Sequence, residues 1–159
     1  MRRCTFFLTV LLACSTVQAQ ELKPFVRGSH QSIKLSHQGK PFILALWSLD
    51  CAHCRDDLEL LGSLQEHNPK LEVVLVATDT PAQNGEIKSV IKHYRLLRAD
   101  AWVFADGFAE RLRYEIDPQW YGELPRTYFI GADGNSVAIS GKIERDQIER
   151  WIRQSKING

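Results

Sequence analysis

The sequence predicts an α/β fold with a central mixed β-sheet and helices on both faces, and three observations support this prediction. Residues 42–47 and 71–77 are nearly continuous apolar runs, typical of central strands buried on both faces. Amphipathic, helix-like segments follow both runs, which predicts parallel strand pairing. Asp133-Gly134 separates two later strand-like runs and is a strong signal for a β-hairpin.

The chain begins with features of a signal peptide. Met1-Arg2-Arg3 is basic, residues 6–13 are an apolar run too short to span a bilayer, and Val17-Gln18-Ala19 resembles a peptidase recognition site. We therefore predict a signal peptide over residues 1–19, cleaved before Gln20. The alternative is a lipoprotein signal over residues 1–13, with Cys14 as the acylated residue and lipid anchor.

Either cut leaves two free thiols in the mature chain, Cys51 and Cys54, because Cys4 leaves with the signal and Cys14 either leaves too or becomes the lipid anchor. Two cysteines are too few for a secreted disulfide scaffold or a four-cysteine zinc site, so we expect no resident metal. The formal net charge of +1 and the lack of a basic block argue against a nucleic-acid partner.

The mature chain has the length of one domain, which we place at residues 41–157 and expect to be monomeric. Residues 20–40 precede it as a polar lead-in in which Ile33 and Leu35 alternate with polar residues, so the pattern indicates a short strand. The remaining predicted elements are a helix over 55–67, a helix around 87–94, a strand over 101–105, a helix over 107–114, a loop over 117–123, strands over 126–130 and 135–140, and a last helix around 148–155.

The segment Cys51-Ala52-His53-Cys54 lies between the strand that ends at Trp47 and the following helix. A Cys-x-x-Cys at such a junction indicates redox chemistry, because the helix places the two sulfurs close enough to bond. The helix N-terminus stabilises a thiolate at Cys51, which we assign as the nucleophile. Cys54 lies deeper in the helix and is the candidate resolving thiol.

These residues resemble the thioredoxin fold, and specifically the exported TlpA/ResA-like thiol-disulfide proteins. Three features carry the resemblance: Trp47 before Cys51-x-x-Cys54, the segment 124–130, and Ala132-Asp133-Gly134-Asn135. The resemblance extends over nearly all of residues 25–152. It implies disulfide reduction in client proteins, electrons supplied by a membrane partner protein, and no cofactor besides the Cys51–Cys54 disulfide.

The resemblance also implies that Pro125 is a cis-proline facing the cysteine pair and that Leu124 faces the substrate. The backbone edge before a cis-proline can pair with an extended substrate chain. The alternative is an ordinary trans proline in a loop. Trp47 is expected in the core, with its ring bordering the site, whereas Trp120 and Tyr121 either line a substrate groove or pack; packing is favoured.

Three polar residues are expected to tune the pair. Asp50 opposes a thiolate at Cys51 by charge repulsion, whereas a partly protonated His53 stabilises it. The direction of their net effect on the redox potential therefore stays open. Asp57 is either a proton acceptor for Cys54 or a solvated carboxylate. Arg126, which follows the proline, either meets an acidic partner or is solvated, and solvation is favoured. Four histidines are also predicted to be solvated at the surface: His30, His37, His67 and His93.

The leading hypothesis is an exported, periplasmic thiol-disulfide oxidoreductase that reduces client disulfides. One alternative is an oxidant or isomerase resembling DsbA, in which His53 dominates the redox potential. A second alternative is a metallochaperone that holds Cu(I) or another soft metal with Cys51 and Cys54, and with His53 as a candidate third ligand.

Overall fold

A computed structural model of the protein describes residues 21–155 and residue 157. The predicted signal peptide over residues 1–19 and the candidate anchor Cys14 lie outside these described residues. No helix in the described part of the chain is both long and apolar enough to cross a membrane.

From residue 42 onward, the described chain follows the predicted order of strands and helices. The strands are β1 (Leu22–Phe25), β2 (Phe42–Trp47), β3 (Glu72–Ala77), β4 (Asp100–Phe104), β5 (Arg126–Ile130) and β6 (Ser136–Ser140). The helices are α1 (Ser29–Ser36), α2 (Ala52–His67), α3 (Asn84–His93), α4 (Ala109–Ile116) and α5 (Arg145–Gln154).

Over the described residues the strands form one six-stranded sheet in the order β1-β4-β3-β2-β5-β6. The first four positions in that order pair in parallel, and β5 and β6 are antiparallel to their neighbours. All six residues of β2 are buried, as expected for a central strand covered on both faces. The predicted mixed sheet is therefore confirmed.

Each face of the sheet carries its own apolar core. The first core, here called the cysteine-side core, contains Cys54 together with buried residues of α2, α3 and α5. The second, here called the far-side core, contains buried residues of α1 and α4. Alternate residues of β2 point into the two cores, so that Ala45 and Trp47 belong to the first and Leu44 and Leu46 to the second.

The lead-in over residues 20–40 differs from the prediction. Its strand is β1, which pairs with β4 in the same sheet, so these residues pack with the segment that begins at residue 41. The predicted strand around Ile33 and Leu35 is wrong, because both residues lie in α1. Leu35 is 59% exposed, whereas the polar residues Ser29 and His30 are buried beside Ile33. Because the buried face of α1 carries polar residues, the apolar residues of this segment do not show the spacing typical of a helix.

Candidate redox site

The cysteine pair lies at the N-terminus of α2. Cys51 is the N-cap residue, and its sulfur accepts a hydrogen bond from the Cys54 backbone N–H at 3.2 Å. The two sulfurs form a disulfide with an S–S distance of 2.05 Å. Cys54 is 1% exposed whereas Cys51 is only partly buried, so Cys51 presents the sulfur that another molecule can reach.

The start of β5 lies next to the end of β2. Leu46 pairs with Arg126, which places Pro125 beside the carboxyl end of the strand that leads to Cys51. The Leu124–Pro125 peptide bond is cis. Pro125 is buried, and its carbonyl accepts a hydrogen bond from the Gly141 N–H at 2.9 Å. Leu124 is half-buried and packs against both cores.

Asp57 lies one helical turn after Cys54 and is 4% exposed, so its interpretation as a solvated carboxylate is wrong. Its Oδ1 accepts a hydrogen bond from the Ile143 N–H at 3.2 Å. No donor among the described residues reaches Oδ2. Burial raises the pKa of Asp57 to about 6, against the lowering effects of the Ile143 hydrogen bond and the Lys142 charge. This carboxyl group can therefore exchange a proton near neutral pH.

A second buried carboxyl group, Asp79, was missed by the sequence reasoning. It is 9% exposed, and its two oxygens lie 3.2 and 3.1 Å from the Leu49 backbone nitrogen, which donates to them. Burial raises the pKa of Asp79, and the nearby charge of Asp50 adds to this effect. Its position two residues after β3 could have indicated a place near the redox pair, because the parallel strands β2 and β3 end at the same edge of the sheet.

Asp50 and His53 are both exposed beside the disulfide. The pKa of Asp56 is lowered mainly by its hydrogen bond with Lys142, and a charge on His53 adds a small further lowering. The Lys142 Nζ atom lies 2.7 Å from Asp56 Oδ2, so a cation is held near this end of α2.

The two tryptophans considered as candidates for the site, Trp47 and Trp120, lie in different cores. Trp47 is 2% exposed in the cysteine-side core, as expected for a core residue close to the pair. Trp120 is 3% exposed in the far-side core, and its Nε1 donates to the Glu123 carbonyl at 2.8 Å. Packing is therefore the correct alternative for Trp120, which offers a client little surface. Tyr121 is 89% exposed, so the favoured prediction that its ring packs is wrong.

Two residues predicted to be solvated are not. His30 is 9% exposed, and burial lowers its pKa. The Arg126 side chain is 13% exposed and lies 2.7 Å from Asp117 Oδ2 in an ion pair. Both are held by contacts between distant segments, which the sequence does not reveal.

Within the described residues, no group of three or more histidine, cysteine, aspartate or glutamate side chains is placed to hold a metal ion. The Cu(I) alternative would therefore have to rely on the two sulfurs of Cys51 and Cys54 alone, without His53 as a third ligand.

Comparison with solved structures places the chain among thioredoxin-like proteins. A secreted Mycobacterium tuberculosis disulfide oxidoreductase, homologous to Escherichia coli DsbE, is 25% identical with a TM-score of 0.60 over 76% of this chain and 85% of its own. The fold is thioredoxin-like. No protein-family model matches the sequence, and no curated protein matches it.

Two further thioredoxin-like structures have the same fold. A thiol:disulfide interchange protein of Chlorobium tepidum is 21% identical with a TM-score of 0.61, over 77% of this chain and 83% of its own. The exposed lipoprotein thioredoxin of Streptococcus pneumoniae is 19% identical with a TM-score of 0.54, over 76% of this chain and 88% of its own. The thioredoxin-like fold and the Cys51–Cys54 disulfide are together consistent with disulfide oxidoreductase activity.

Proposed function

We propose that the protein is an exported thiol-disulfide oxidoreductase that reduces disulfides in client proteins of the periplasm. The observation that carries this proposal is the Cys51–Cys54 disulfide at the start of α2, with one accessible and one buried sulfur. The Leu124–Pro125 segment lies beside the carboxyl end of β2, and this position supports a client-binding edge next to the pair. The pair itself is the redox group, and no other cofactor is needed.

The reaction begins with the reduced pair. The Cys51 thiolate attacks one sulfur of a client disulfide, forming a mixed disulfide and releasing the other client sulfur as a thiolate. Cys54 then loses its proton and attacks the Cys51 sulfur, which releases the second client thiolate. Two electrons pass from the pair to the client, and the client thiolates take up two protons. The pair ends as the Cys51–Cys54 disulfide.

Asp57 is the proposed proton acceptor for the buried Cys54 thiol. Its burial one turn away and its pKa of about 6 suit a group that takes a proton during resolution and returns it to solvent.

The charges around the pair support reduction as the direction. Asp50 directly precedes Cys51, and Asp79 binds the backbone N–H of Leu49, two residues before Cys51. Negative charge at these positions would raise the energy of a Cys51 thiolate, favour the disulfide and make the couple more reducing, whereas a protonated His53 would act in the opposite direction. A membrane partner protein is proposed to supply the electrons that reduce the Cys51–Cys54 disulfide after each reaction. Export is supported by the sequence of residues 1–19, and one similar structure belongs to a protein described as secreted.

A trapping experiment tests the proposed function. Cys54→Ser should accumulate covalent mixed disulfides with exported proteins through Cys51, and these should disappear under dithiothreitol. Cys51→Ser is the matched control and should trap none, because the accessible nucleophile is missing. Tight Cu(I) binding by the reduced protein, together with no trapped clients, would overturn the redox proposal.

A further inference from the structure

We propose that Arg126 is a positioning residue that holds the 117–125 loop in the shape that receives the client. The inference rests on the proposed function, since it concerns how a client polypeptide meets the Cys51–Cys54 pair. The loop carries Leu124, the predicted client-facing residue, and the exposed ring of Tyr121.

The Arg126 guanidinium contacts three separate parts of the chain. Its Nη2 donates to Asp117 Oδ2 at 2.7 Å, at the start of the loop. Its Nε donates to the Tyr128 hydroxyl at 3.1 Å, and its Nη1 donates to Ser140 Oγ at 2.5 Å. A planar fork makes these contacts simultaneously, whereas a lysine ammonium group lacks that geometry.

The start of the loop is fixed through Asp117. Besides Arg126, its Oδ2 accepts a hydrogen bond from the Tyr128 hydroxyl at 3.1 Å, and its Oδ1 accepts from the Gln119 N–H at 2.9 Å. Burial opposes ionisation, but these hydrogen bonds together hold the pKa of Asp117 below its usual range. The carboxylate therefore stays charged and bound to Arg126 at neutral pH.

The end of the loop is fixed through Glu123. Ser140 Oγ, itself bound to Arg126, donates to Glu123 Oε1 at 3.0 Å, and Arg126 Nη1 lies 3.8 Å from the same oxygen. Glu123 Oε2 accepts from the Tyr121 N–H at 3.2 Å. The loop is thus tied to one guanidinium at both ends, with Tyr121 held between them.

Arg126 acts on the client only through this loop. Its partner across the strands, Leu46, belongs to the far-side core, whereas Cys54 lies in the cysteine-side core. Side chains directly opposite in an antiparallel pair lie on the same face, so the guanidinium points away from the sulfurs. Loss of the fork should therefore weaken client binding and leave the chemistry of the pair unchanged.

The test compares Arg126→Lys with the wild type, using insulin as the protein disulfide and dithiothreitol as the small thiol. We expect the KM for insulin to rise roughly three- to tenfold, because a loosened loop weakens binding of substrate and transition state alike. The reduction potential and the rate at which dithiothreitol reduces the pair should not change.

Arg98→Lys is the matched control. The Arg98 fork donates to the carbonyls of Gln65 and Pro69, at the opposite end of α2 from the pair. This variant loses a comparable fork but should keep the wild-type KM. An unchanged KM in Arg126→Lys, or an equal rise in Arg98→Lys, would overturn the proposal.

Chymotrypsin cleavage after Tyr121 gives a second readout that does not depend on redox activity. Cleavage under native conditions should be faster in Arg126→Lys and unchanged in Arg98→Lys. If Arg126→Lys does not fold, Glu123→Gln provides the same test at the other end of the loop. Equal cleavage rates would refute the role of Arg126. Faster cleavage with no reduction of insulin by the wild type would refute only the proposed function.

Discussion

The two faces of the sheet near the redox pair hold carboxyl groups whose pKa values move in opposite directions. On the cysteine side, burial raises the pKa of Asp57 to about 6 and also raises that of Asp79. On the far side, despite partial burial, hydrogen bonds from Gln119, Arg126 and Tyr128 hold the pKa of Asp117 below its usual range. The described residues make an ion pair with Asp117 but none with Asp57 or Asp79.

This comparison shows that the hydrogen-bond and ion-pair partners of a carboxyl group, more than its burial alone, decide the direction of its pKa shift. A buried carboxyl group that receives only backbone hydrogen bonds takes up a proton more readily, which suits proton transfer to and from a thiol. A carboxylate paired with a guanidinium keeps its charge and fixes the segments that carry the two groups. One face is thus suited to the chemistry of the pair and the other to holding the 117–125 loop in place.

The largest expected effect is on resolution of the mixed disulfide. Asp57→Asn cannot accept the Cys54 proton, so the resolution rate at pH 7 should fall roughly 100-fold, the usual scale for loss of a general base. Rapid mixing of the reduced protein with a large excess of oxidised glutathione, which makes the first attack fast, reports this step through release of the second glutathione thiol. The wild-type rate should rise with pH through an inflection near the Asp57 pKa of about 6. If that inflection persists in Asp57→Asn, another group accepts the proton.

The same carboxyl group should affect stability with a defined sign. The folded pKa of Asp57 is about 6 and lies above its ordinary value of 3.8, so the folded state binds the proton more tightly than the unfolded state. The free energy of unfolding should therefore fall as pH rises from 4 to 7, by up to about 3 kcal/mol more than in Asp57→Asn. Urea unfolding of the oxidised protein across this range measures the difference. Parallel pH profiles for the two proteins would contradict the raised pKa.

A smaller effect is expected from Asp79, the other carboxyl group on the cysteine side. Asp79→Asn keeps an acceptor for the Leu49 N–H but removes a negative charge near Cys51, so the Cys51 pKa should fall by roughly 0.5 to 1 unit. The ultraviolet absorbance of the thiolate, followed during a pH titration of the reduced protein, measures this. Asp50→Asn is the control for an exposed charge, and its effect should be smaller because solvent screens it. A larger effect from Asp50→Asn would place the dominant charge outside the buried site.

On the far side, the expected effect is on stability. Asp117→Asn should destabilise the protein by about 1.5–3 kcal/mol, the scale of a hydrogen bond to a charged group. Because the folded pKa of Asp117 is lowered, this contribution is present above the ordinary carboxyl pKa and is lost as pH falls through the folded value. Urea unfolding of both proteins at neutral and acid pH should show the difference shrinking on acidification. A constant difference would assign the loss to packing.

The sequence predicted the parts of the fold and site that local patterns encode. The apolar run of β2, the Asp133-Gly134 hairpin and the Cys51–Cys54 spacing each follow from neighbouring residues, and the structure contains the corresponding elements. These signals were enough to indicate the fold and the redox pair before any long-range contact was known.

The missed features depend on contacts between distant segments. Asp79 reaches Leu49, and His30 lies against the Glu115 carbonyl. Arg126 joins Asp117 to Ser140. A polar residue that tertiary packing buries has the same local sequence signature as a solvated one. Burial of these residues, and the resulting pKa shifts of His30 and Asp79, therefore became visible only in the structure.

The reduction potential of the Cys51–Cys54 pair tests the central claim most directly. Equilibration against dithiothreitol or glutathione buffers, with the thiol content read at each ratio, gives the value. A couple shaped by the Asp50 and Asp79 charges should lie near or below thioredoxin's potential, about −270 mV. A potential near that of DsbA, about −120 mV, would contradict a reductant and indicate that stabilisation of the Cys51 thiolate by His53 dominates.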